Sequence, residues 1–169
     1  MVDLAEAPPP VADFEEFYAA HFQSLTIQLY AYAGDLATAQ DVVQEAFCRA
    51  LDRWSRVSRL DDPGAWVRHV AWNLATSHWR RAVTAAKFTR HHREEHVPPP
   101  GPDRVALAAA LATLPDKHRR AVILHYLADV PVAEIAEQLK TTDGTVKSWL
   151  HRGRTALAAA LTEKENDRE

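Results

Sequence analysis

The residues with the clearest chemistry lie in one basic stretch near the C-terminal end of the chain. Lysine and arginine can reach the acceptors of guanine or the phosphates of a DNA backbone, and serine can donate to either. Their spacing predicts that these side chains share the outer face of one helix. The free N–H groups at the start of that helix, near Gly144, also suit a phosphate. The candidate nucleic-acid contacts are Thr145, Lys147, Ser148, His151, Arg152 and Arg154.

The residues around this stretch have the pattern of a helix-turn-helix. A short helix is predicted over 132–139, followed by the polar turn 140–142 and a second helix that reaches about Leu161. Thr142 or Asp143 can cap the second helix. In such a motif the second helix enters the major groove of DNA. The alternative is a plain helical hairpin with a solvated basic face. The apolar residues that would join the two helices are Ile135, Ala136, Leu139, Val146, Leu150 and Leu157.

Helical periodicity recurs along most of the chain and predicts an all-α fold. Only 5 glycines are present, and Ala, Leu, Arg and Glu recur, which favours helix over sheet. We predict helices over 13–34, 35 to about 54, 63–81, 103–114 and 116–127, and a polar loop over 55–62. The predicted helix N-caps are Asp13, Asp35, Asp62, Asp103 and Asp116, and Gly34 fits the position just past the first helix.

Apolar stripes predict which side of the second and third helices faces a core. Cys48, on the second helix, is expected to be a semi-buried small hydrophobe. The second-helix stripe consists of Val42, Val43, Ala46, Phe47, Ala50, Leu51 and Trp54, and the third-helix stripe of Trp66, Val67, Val70, Leu74 and Ala75.

A proline-rich segment, Pro98 to Pro102, indicates a linker between two small domains, since such segments are extended and semi-rigid. We predict two helical domains joined by that flexible linker. The predicted organisation is a disordered tail over 1–12, a helical domain over 13–81, the linker over 82–103, a second helical domain over 104–162 and an acidic tail over 163–169.

Charge is distributed unevenly along the chain, although the net charge is only −3. Residues 1–60 carry nine acids and four arginines, whereas residues 104–162 carry eight bases and five acids. The acidic half is therefore expected to face something other than phosphate, and the basic half can face DNA.

Other classes of protein find little support. No run of about 18 apolar residues predicts a membrane span, and the acidic N-terminus lacks the features of a secretory signal, so we expect a cytoplasmic protein. No glycine-rich phosphate loop, nucleophile–base set or metal-ligand spacing predicts an enzyme. His91, His92 and His96 in the linker lack the cysteines or carboxylates that would complete a metal site, so no metal or cofactor is expected.

Taken together, these motifs resemble extracytoplasmic-function sigma factors of the sigma-70 family. The resemblance covers about residues 13–161 and is highly specific because two separate blocks occur in the right order. The first block is Asp41 to Phe47 with Trp66 to Ala75 and Arg80-Arg81, which resembles region 2. The second is Leu114-Pro115, Ile135-Ala136 and Gly144 to Arg154, which resembles the region 4 helix-turn-helix.

The resemblance implies a role for each domain. The second helix would dock on the coiled coil of the largest subunit of core RNA polymerase, and the flap of the polymerase would be a further contact. The third helix and the loop before it would recognise and melt the minus-10 element, with Asn73 matching a base-contacting asparagine. The implied polymerase-binding residues are Asp41, Gln44, Glu45, Arg49 and Arg53. The implied minus-10 residues are Asn73, Arg68, His69, Trp72, Arg80 and Arg81, with Trp72 a candidate stacking platform because it lies off the apolar stripe.

The basic helix would read the minus-35 element, and here the chain departs from the family in two places. Trp149 stands where the family usually carries a basic residue, so one phosphate contact is absent or replaced by stacking. Pro131 stands where a Ser or Thr cap is usual; the helix tolerates proline in its first turn, but the cap hydrogen bond is absent.

The principal alternative is a stand-alone helix-turn-helix regulator that binds duplex DNA without polymerase. The resemblance also implies an anti-sigma protein as an optional partner, which nothing in the sequence identifies. The promoter sequence cannot be read from these side chains.

Overall fold

The chain folds into α-helices joined by turns, as a computed structural model describes for residues 12–84 and 99–166. No strand occurs in these two ranges, which confirms the all-α prediction. None of the helices in them is long and apolar enough to cross a membrane. The helices are α1 (Ala12–Ala33), α2 (Leu36–Asp52), α3 (Trp54–Val57), α4 (Pro63–Thr84), α5 (Pro102–Ala112), α6 (Asp116–Tyr126), α7 (Val132–Gln138) and α8 (Asp143–Asn166).

The helices group into two compact units. The first holds the described residues up to Thr26 together with those from Ala39 to the end of α4. The second holds Ile27–Thr38 together with α5 to α8. The boundaries that the sequence predicts for two domains, their linker and their tails stay predictions.

An aromatic cluster around Phe47 of α2 forms the core of the first unit. Phe47 is fully buried, and the rings of Phe17 and Tyr18 meet it edge-on at centroid distances of 5.7 Å and 4.9 Å. Edge-to-face pairs contribute about 0.5–1.5 kcal/mol beyond the area they bury. One face of α2 therefore packs into the core, and the opposite face is exposed to solvent.

The structure corrects the prediction of a second helix that reaches Trp54 and a polar loop over 55–62. α2 ends at Asp52, and α3 occupies Trp54–Val57 within the predicted loop. Trp54 packs against Phe14 and Phe17 of α1 at 5.2 Å and 5.1 Å, and Val57 is buried. The chain turns at Arg53, and the new helix α3 begins with Trp54, which packs against these rings.

Two side chains of α2 face solvent instead of the predicted core. Cys48 is exposed, and Leu51 is 48% exposed. Cys48 directly follows Phe47, and Leu51 directly follows Ala50; Phe47 and Ala50 are both fully buried. Successive side chains on an α-helix point about 100° apart, so Cys48 and Leu51 are turned away from the core.

The second unit is built on α8, which packs against α5, α6 and α7. Ile123, Ile135 and Val146 are fully buried among these helices. Gly153 permits a close approach of α8 to α6, because a Cβ at this position would lie 2.6 Å from the Cγ2 atom of Val122. The glycine therefore sets how near the two helices come.

Several predicted helix ends are confirmed. Gly34 takes a positive φ of 72° after α1, as a glycine at that position permits. Asp35 caps α2 by accepting from the backbone N–H of Ala37 at 3.3 Å, and Asp62 caps α4 through the N–H of Ala65 at 2.8 Å.

Three other predicted N-caps are wrong. Asp13 and Asp103 lie in the first turns of α1 and α5, and Gly101 is the N-cap of α5. α6 is capped by Pro115 without a side-chain hydrogen bond, while the carboxylate of Asp116 accepts from the Tyr32 hydroxyl. The Asp116 carboxylate is thus engaged by a residue distant in sequence rather than by its own helix.

Candidate nucleic-acid interface

α7 and α8 form the predicted helix-turn-helix. The chain reverses at Lys140, whose φ is 52°, and the N–H of Thr141 donates to the carbonyl of Ala136 at 2.9 Å. Of the two predicted caps, Thr142 provides the bond, because its hydroxyl oxygen accepts from the N–H of Thr145 at 3.3 Å. Pro131 is the N-cap residue of α7, and no side-chain cap hydrogen bond is made there, as predicted.

The outer face of α8 carries the basic side chains that the sequence singled out. Val146 and Leu150 are buried against the other helices, which turns the intervening positions outward. Lys147, His151, Arg152 and Arg154 are exposed, and Thr145 and Ser148 are half-buried. The structure therefore leaves the side chains of one helix face available to base edges and phosphates.

Trp149 lies on the flank of this face and contacts the beginning of α6. The Nζ atom of Lys117 is 5.8 Å from the centroid of the indole, and the ring of His118 is 6.1 Å away at an interplanar angle of 34°. Desolvation lowers the pKa of His118, and the nearby charge of Arg152 lowers it further. The sequence patterns did not reveal Lys117 and His118, although they lie within three residues of Leu114-Pro115, on which the resemblance partly rests.

α4 presents a second polar face in the first unit. His69, Asn73 and Arg80 are exposed at a spacing of four and seven residues, which places them along one side of the helix. Arg81 is also exposed, and Arg68 is half-buried. This face supplies an amide that can pair with a base edge and cations that can hold phosphates.

Trp72 does not belong to that face, contrary to the prediction. It is only 2% exposed and shares the buried side of α4 with Val67, Ala71 and Ala75. The predicted stripe contained Val67 and Ala75 from this side, but it left out Ala71 and Trp72 and added Trp66, Val70 and Leu74, which are half-buried. Ala71 contributes little apolar bulk, so a pattern that follows the large side chains shifts the predicted buried side toward Trp66, Val70 and Leu74. Trp72 is a core residue and cannot stack on a base from this position.

For the segment before α4, Ser55 to Asp62, the resemblance also implies a pocket that holds a flipped base. The first part of the segment is helical, and Val57 is buried in the core. The non-helical remainder of the segment is residues 58–62, in which Arg59, Leu60, Asp61 and Asp62 are exposed. A base pocket here stays a prediction.

The outer face of α2 is polar and mixed in charge. The Nε atom of Arg49 donates to Oε1 of Glu45 at 3.0 Å, and the hydroxyl of Tyr18 donates to Oε1 of Gln44 at 3.1 Å. Asp41 of α2 is exposed, and so is Arg53, which follows α2 in the turn before α3. All five residues predicted to bind a protein partner are therefore accessible, and such a face suits paired, hydrogen-bonded contacts with a charged partner.

No cluster of histidine, cysteine and carboxylate side chains that could hold a metal ion occurs within residues 12–84 and 99–166. His91, His92 and His96, the histidines of the predicted linker, lie outside the described residues.

Two family models match the chain in sequence order. The model of Sigma-70 region 2 matches residues 17–84, and that of Sigma-70, region 4 matches residues 104–157. The first match contains the polar faces of α2 and α4, and the second contains the helix-turn-helix.

Curated relatives resemble the chain over most of its length. It is 34% identical over 150 residues to the ECF RNA polymerase sigma factor SigL of Mycobacterium tuberculosis, a match that covers 80% of this chain and 83% of the relative. It is 29% identical over 165 residues to the RNA polymerase sigma-E factor of Streptomyces coelicolor, covering 93% and 90% respectively.

Solved structures share the fold at lower identity. The sigma factor RpoE from Bartonella quintana, solved in complex with the anti-sigma factor NepR, aligns with a TM-score of 0.72 at 21% identity and covers 90% of this chain and 98% of that one. CnrH, solved with the cytosolic domain of CnrY, aligns with a TM-score of 0.65 at 20% identity, covering 90% and 89%.

Proposed function

Because the chain belongs to the extracytoplasmic-function sigma factors of the sigma-70 family, we propose which of its surfaces bind promoter DNA and which bind core RNA polymerase. It is an RNA polymerase sigma factor, which directs the polymerase to promoters and takes part in transcription initiation. The stand-alone regulator that the sequence left open is therefore the less favoured interpretation.

One observation carries the assignment of DNA binding. The helix-turn-helix buries one side of α8 and leaves Lys147, His151 and Arg152 exposed on the other. A helix of this motif that enters the major groove presents its outer side chains to base edges. We assign the minus-35 contacts to Lys147, Ser148, His151 and Arg152, with Thr145 and Arg154 on phosphates.

The minus-10 element is assigned to α4. Asn73 is the residue that pairs with a base, and His69, Arg68, Arg80 and Arg81 hold the strand through its phosphates. Extruding a base costs a few kcal/mol, which edge hydrogen bonds can offset. The support is the shared exposed side of α4 on which Asn73 lies between His69 and Arg80.

Core polymerase is assigned to the outer face of α2. Asp41, Gln44 and Glu45 supply carboxylates and an amide, and Arg49 and Arg53 supply cations. Residues 1–60 are acidic in balance, with nine acids against four arginines, so this part of the chain suits a protein partner better than phosphate. We further infer that this chain performs no catalysis itself, and that an anti-sigma protein is an optional partner.

The polymerase assignment is tested by reversing one charge on α2. Glu45→Lys replaces an exposed carboxylate that pairs with Arg49 at 3.0 Å. Such exposed pairs stabilise a fold by only about 0.3–0.5 kcal/mol, so the variant should fold normally. We expect it to lose co-migration with core polymerase in gel filtration and to lose run-off transcription.

Glu163→Lys is the matched control, because it makes the same charge change at an exposed position near the end of α8. It should co-migrate with core polymerase as the wild type does. Failure of the wild-type chain itself to co-migrate would contradict the function, whereas normal co-migration of Glu45→Lys would contradict only the α2 assignment. A mobility-shift assay without core polymerase should show weak DNA binding; tight binding by the free chain would favour the stand-alone regulator.

A further inference from the structure

The first turn of α6 lies beside the DNA-reading face of α8 and adds a cation to it. The Nζ atom of Lys117 stands over the ring of Trp149 at 5.8 Å from its centroid, within the range of a cation–π contact. Trp149 is half-buried on α8, and its ring also lies 6.1 Å from the ring of His118 of α6. Lys117 itself is exposed.

Two helices, α6 and α8, each place a positively charged side chain near Trp149. Arg152 lies three residues after Trp149 on α8, which puts both on the same flank of the helix. Its charge is near enough to His118 of α6 to lower the pKa of that imidazole, although burial is the larger cause. Lys117 therefore reaches the Trp149 ring from α6, and Arg152 lies about one turn further along α8 on the same flank.

The acidic neighbour in this turn is already engaged. Asp116 precedes Lys117, and its carboxylate accepts the hydrogen bond of the Tyr32 hydroxyl. No salt bridge to Lys117 is present among the described residues. The ammonium of Lys117 is therefore available to an anion from outside the protein.

We propose that Lys117, positioned by the indole of Trp149, binds a backbone phosphate of the duplex DNA that α8 reads. This inference rests on the proposed function, since it takes α8 as the reading helix. A helix in the major groove has the phosphates of the groove wall along its flanks, and backbone contacts fix its register on the duplex. Lys117 is a DNA contact outside the helix-turn-helix, and Trp149 is a positioning residue.

The contact with the Trp149 ring explains how the single side chain of Lys117 can bind a phosphate. A lysine side chain has a flexible four-carbon stem and loses rotamer freedom when it is held in one geometry. The cation–π contact restrains the stem before DNA arrives, so less freedom is lost on binding. Leucine at position 149 would keep apolar packing but remove the ring face, whereas phenylalanine would keep a ring.

The test measures the salt dependence of promoter binding. Holoenzyme is reconstituted from core polymerase and the full chain, and the probe is a duplex promoter fragment that the wild-type holoenzyme selects from a randomised pool. Removing one phosphate contact makes the slope of log K against log salt shallower by about 1. We expect this change in Lys117→Gln, with weaker binding to every duplex in the selected pool.

Position 149 tests the positioning role. Trp149→Leu should flatten the slope as much as Lys117→Gln does, the double variant should flatten it no more than either single variant, and Trp149→Phe should retain most of the wild-type slope. A general structural defect would not change the salt slope in Trp149→Leu and leave it nearly unchanged in Trp149→Phe. Additive changes in the double variant would overturn the positioning role.

The charge-matched control is Arg104→Gln, which removes an exposed cation from the first turn of α5. It should leave the slope unchanged, and an equal change there would overturn the inference. A wild-type slope in Lys117→Gln would also overturn it, while the wild-type holoenzyme would still bind the promoter. If wild-type holoenzyme failed to assemble or to select any duplex, the proposed function would be at fault instead.

Discussion

Gly153 shows how a single residue sets the geometry of α8, the helix proposed to read DNA. It is buried in the middle of α8, and an added Cβ would lie 2.6 Å from Val122 of α6. The neighbouring atom belongs to a core side chain that is itself only 6% exposed, so there is little room to yield. Gly144, on the same helix, differs because a Cβ added there would have no neighbour within 4 Å.

These two glycines predict opposite effects of the same substitution. Gly153→Ala should destabilise the fold by about 1–3 kcal/mol, because it overpacks a closed contact between helices. Gly144→Ala should stabilise it by up to about 1 kcal/mol, because alanine favours helix at an open position. Urea unfolding followed by circular dichroism measures both, and equal stability of the two variants would contradict this account of Gly153.

At the scale of elements, two helices carry the proposed DNA contacts by the same arrangement. α8 buries Val146 and Leu150 and exposes its cations, and α4 buries Val67 and Ala71 and exposes its amide and cations. In each case the buried side orients the polar side, so the reading surface is as rigid as the packing beneath it. The proposals for the two promoter elements can therefore be tested one helix at a time.

Arg152→Ala tests α8. If Arg152 makes a bidentate contact to a base, its removal should weaken minus-35 recognition by about 1–3 kcal/mol and relax specificity at one base pair. Footprinting of the holoenzyme on a selected promoter measures the effect, with Arg104→Ala as the control. An unchanged upstream footprint would rule the contact out.

Asn73→Ala tests α4. It should reduce promoter opening, measured by permanganate reactivity of unpaired thymines, because the strand loses an edge hydrogen bond that offsets base extrusion. Core binding should remain intact, since Asn73 is exposed on α4 and does not belong to the α2 face. His78→Ala, exposed on another side of α4, is the control. Equal losses of opening and of core binding would contradict the assignment.

At the scale of the whole chain, the second unit is assembled from distant segments. Tyr32 lies in the segment Ile27–Thr38. Its hydroxyl donates a hydrogen bond to the carboxylate of Asp116, and its backbone carbonyl accepts one from Nη1 of Arg119 at 3.0 Å. The guanidinium of Arg119 also lies 5.3 Å from the centre of the Tyr32 ring. This buried polar group joins residues from the two parts of the chain that the region 2 and region 4 models match.

The Tyr32 hydroxyl predicts a loss of stability at high pH. Burial raises its pKa well above the ordinary value of 10.0, and the hydrogen bond and charge of Asp116 raise it further. The folded state thus keeps a proton that the unfolded state releases, so this contribution is complete below pH 10.0 and is lost as the pH rises through the folded pKa.

Tyr32→Phe removes the titrating group and is the test. Urea unfolding between pH 8 and about pH 11 should show a steeper decline for the wild type than for the variant above the ordinary pKa of tyrosine, which is about 10. Parallel declines would contradict the account of Tyr32.

Local features of this protein were predictable from its amino-acid order. Helical periodicity, the capping aspartates Asp35 and Asp62, and the stop at Gly34 each depend on residues within one turn of one another. The helix-turn-helix was predictable for the same reason, because its apolar residues and its turn lie within a short stretch. The outward side of α8 follows from that pattern, and all of its proposed contacts are exposed or half-buried.

Only the tertiary structure shows which side chains some residues contact, because the sequence allows several partners for each of them. Trp72 is buried on the same side of α4 as Ala71 and Ala75, and Trp54 begins a new helix and packs against aromatic rings of α1. Asp116 binds Tyr32 rather than its own helix, and Trp149 lies under a lysine from α6. Periodicity reports which residues share a side of a helix, whereas burial and hydrogen bonding depend on segments far apart in the chain.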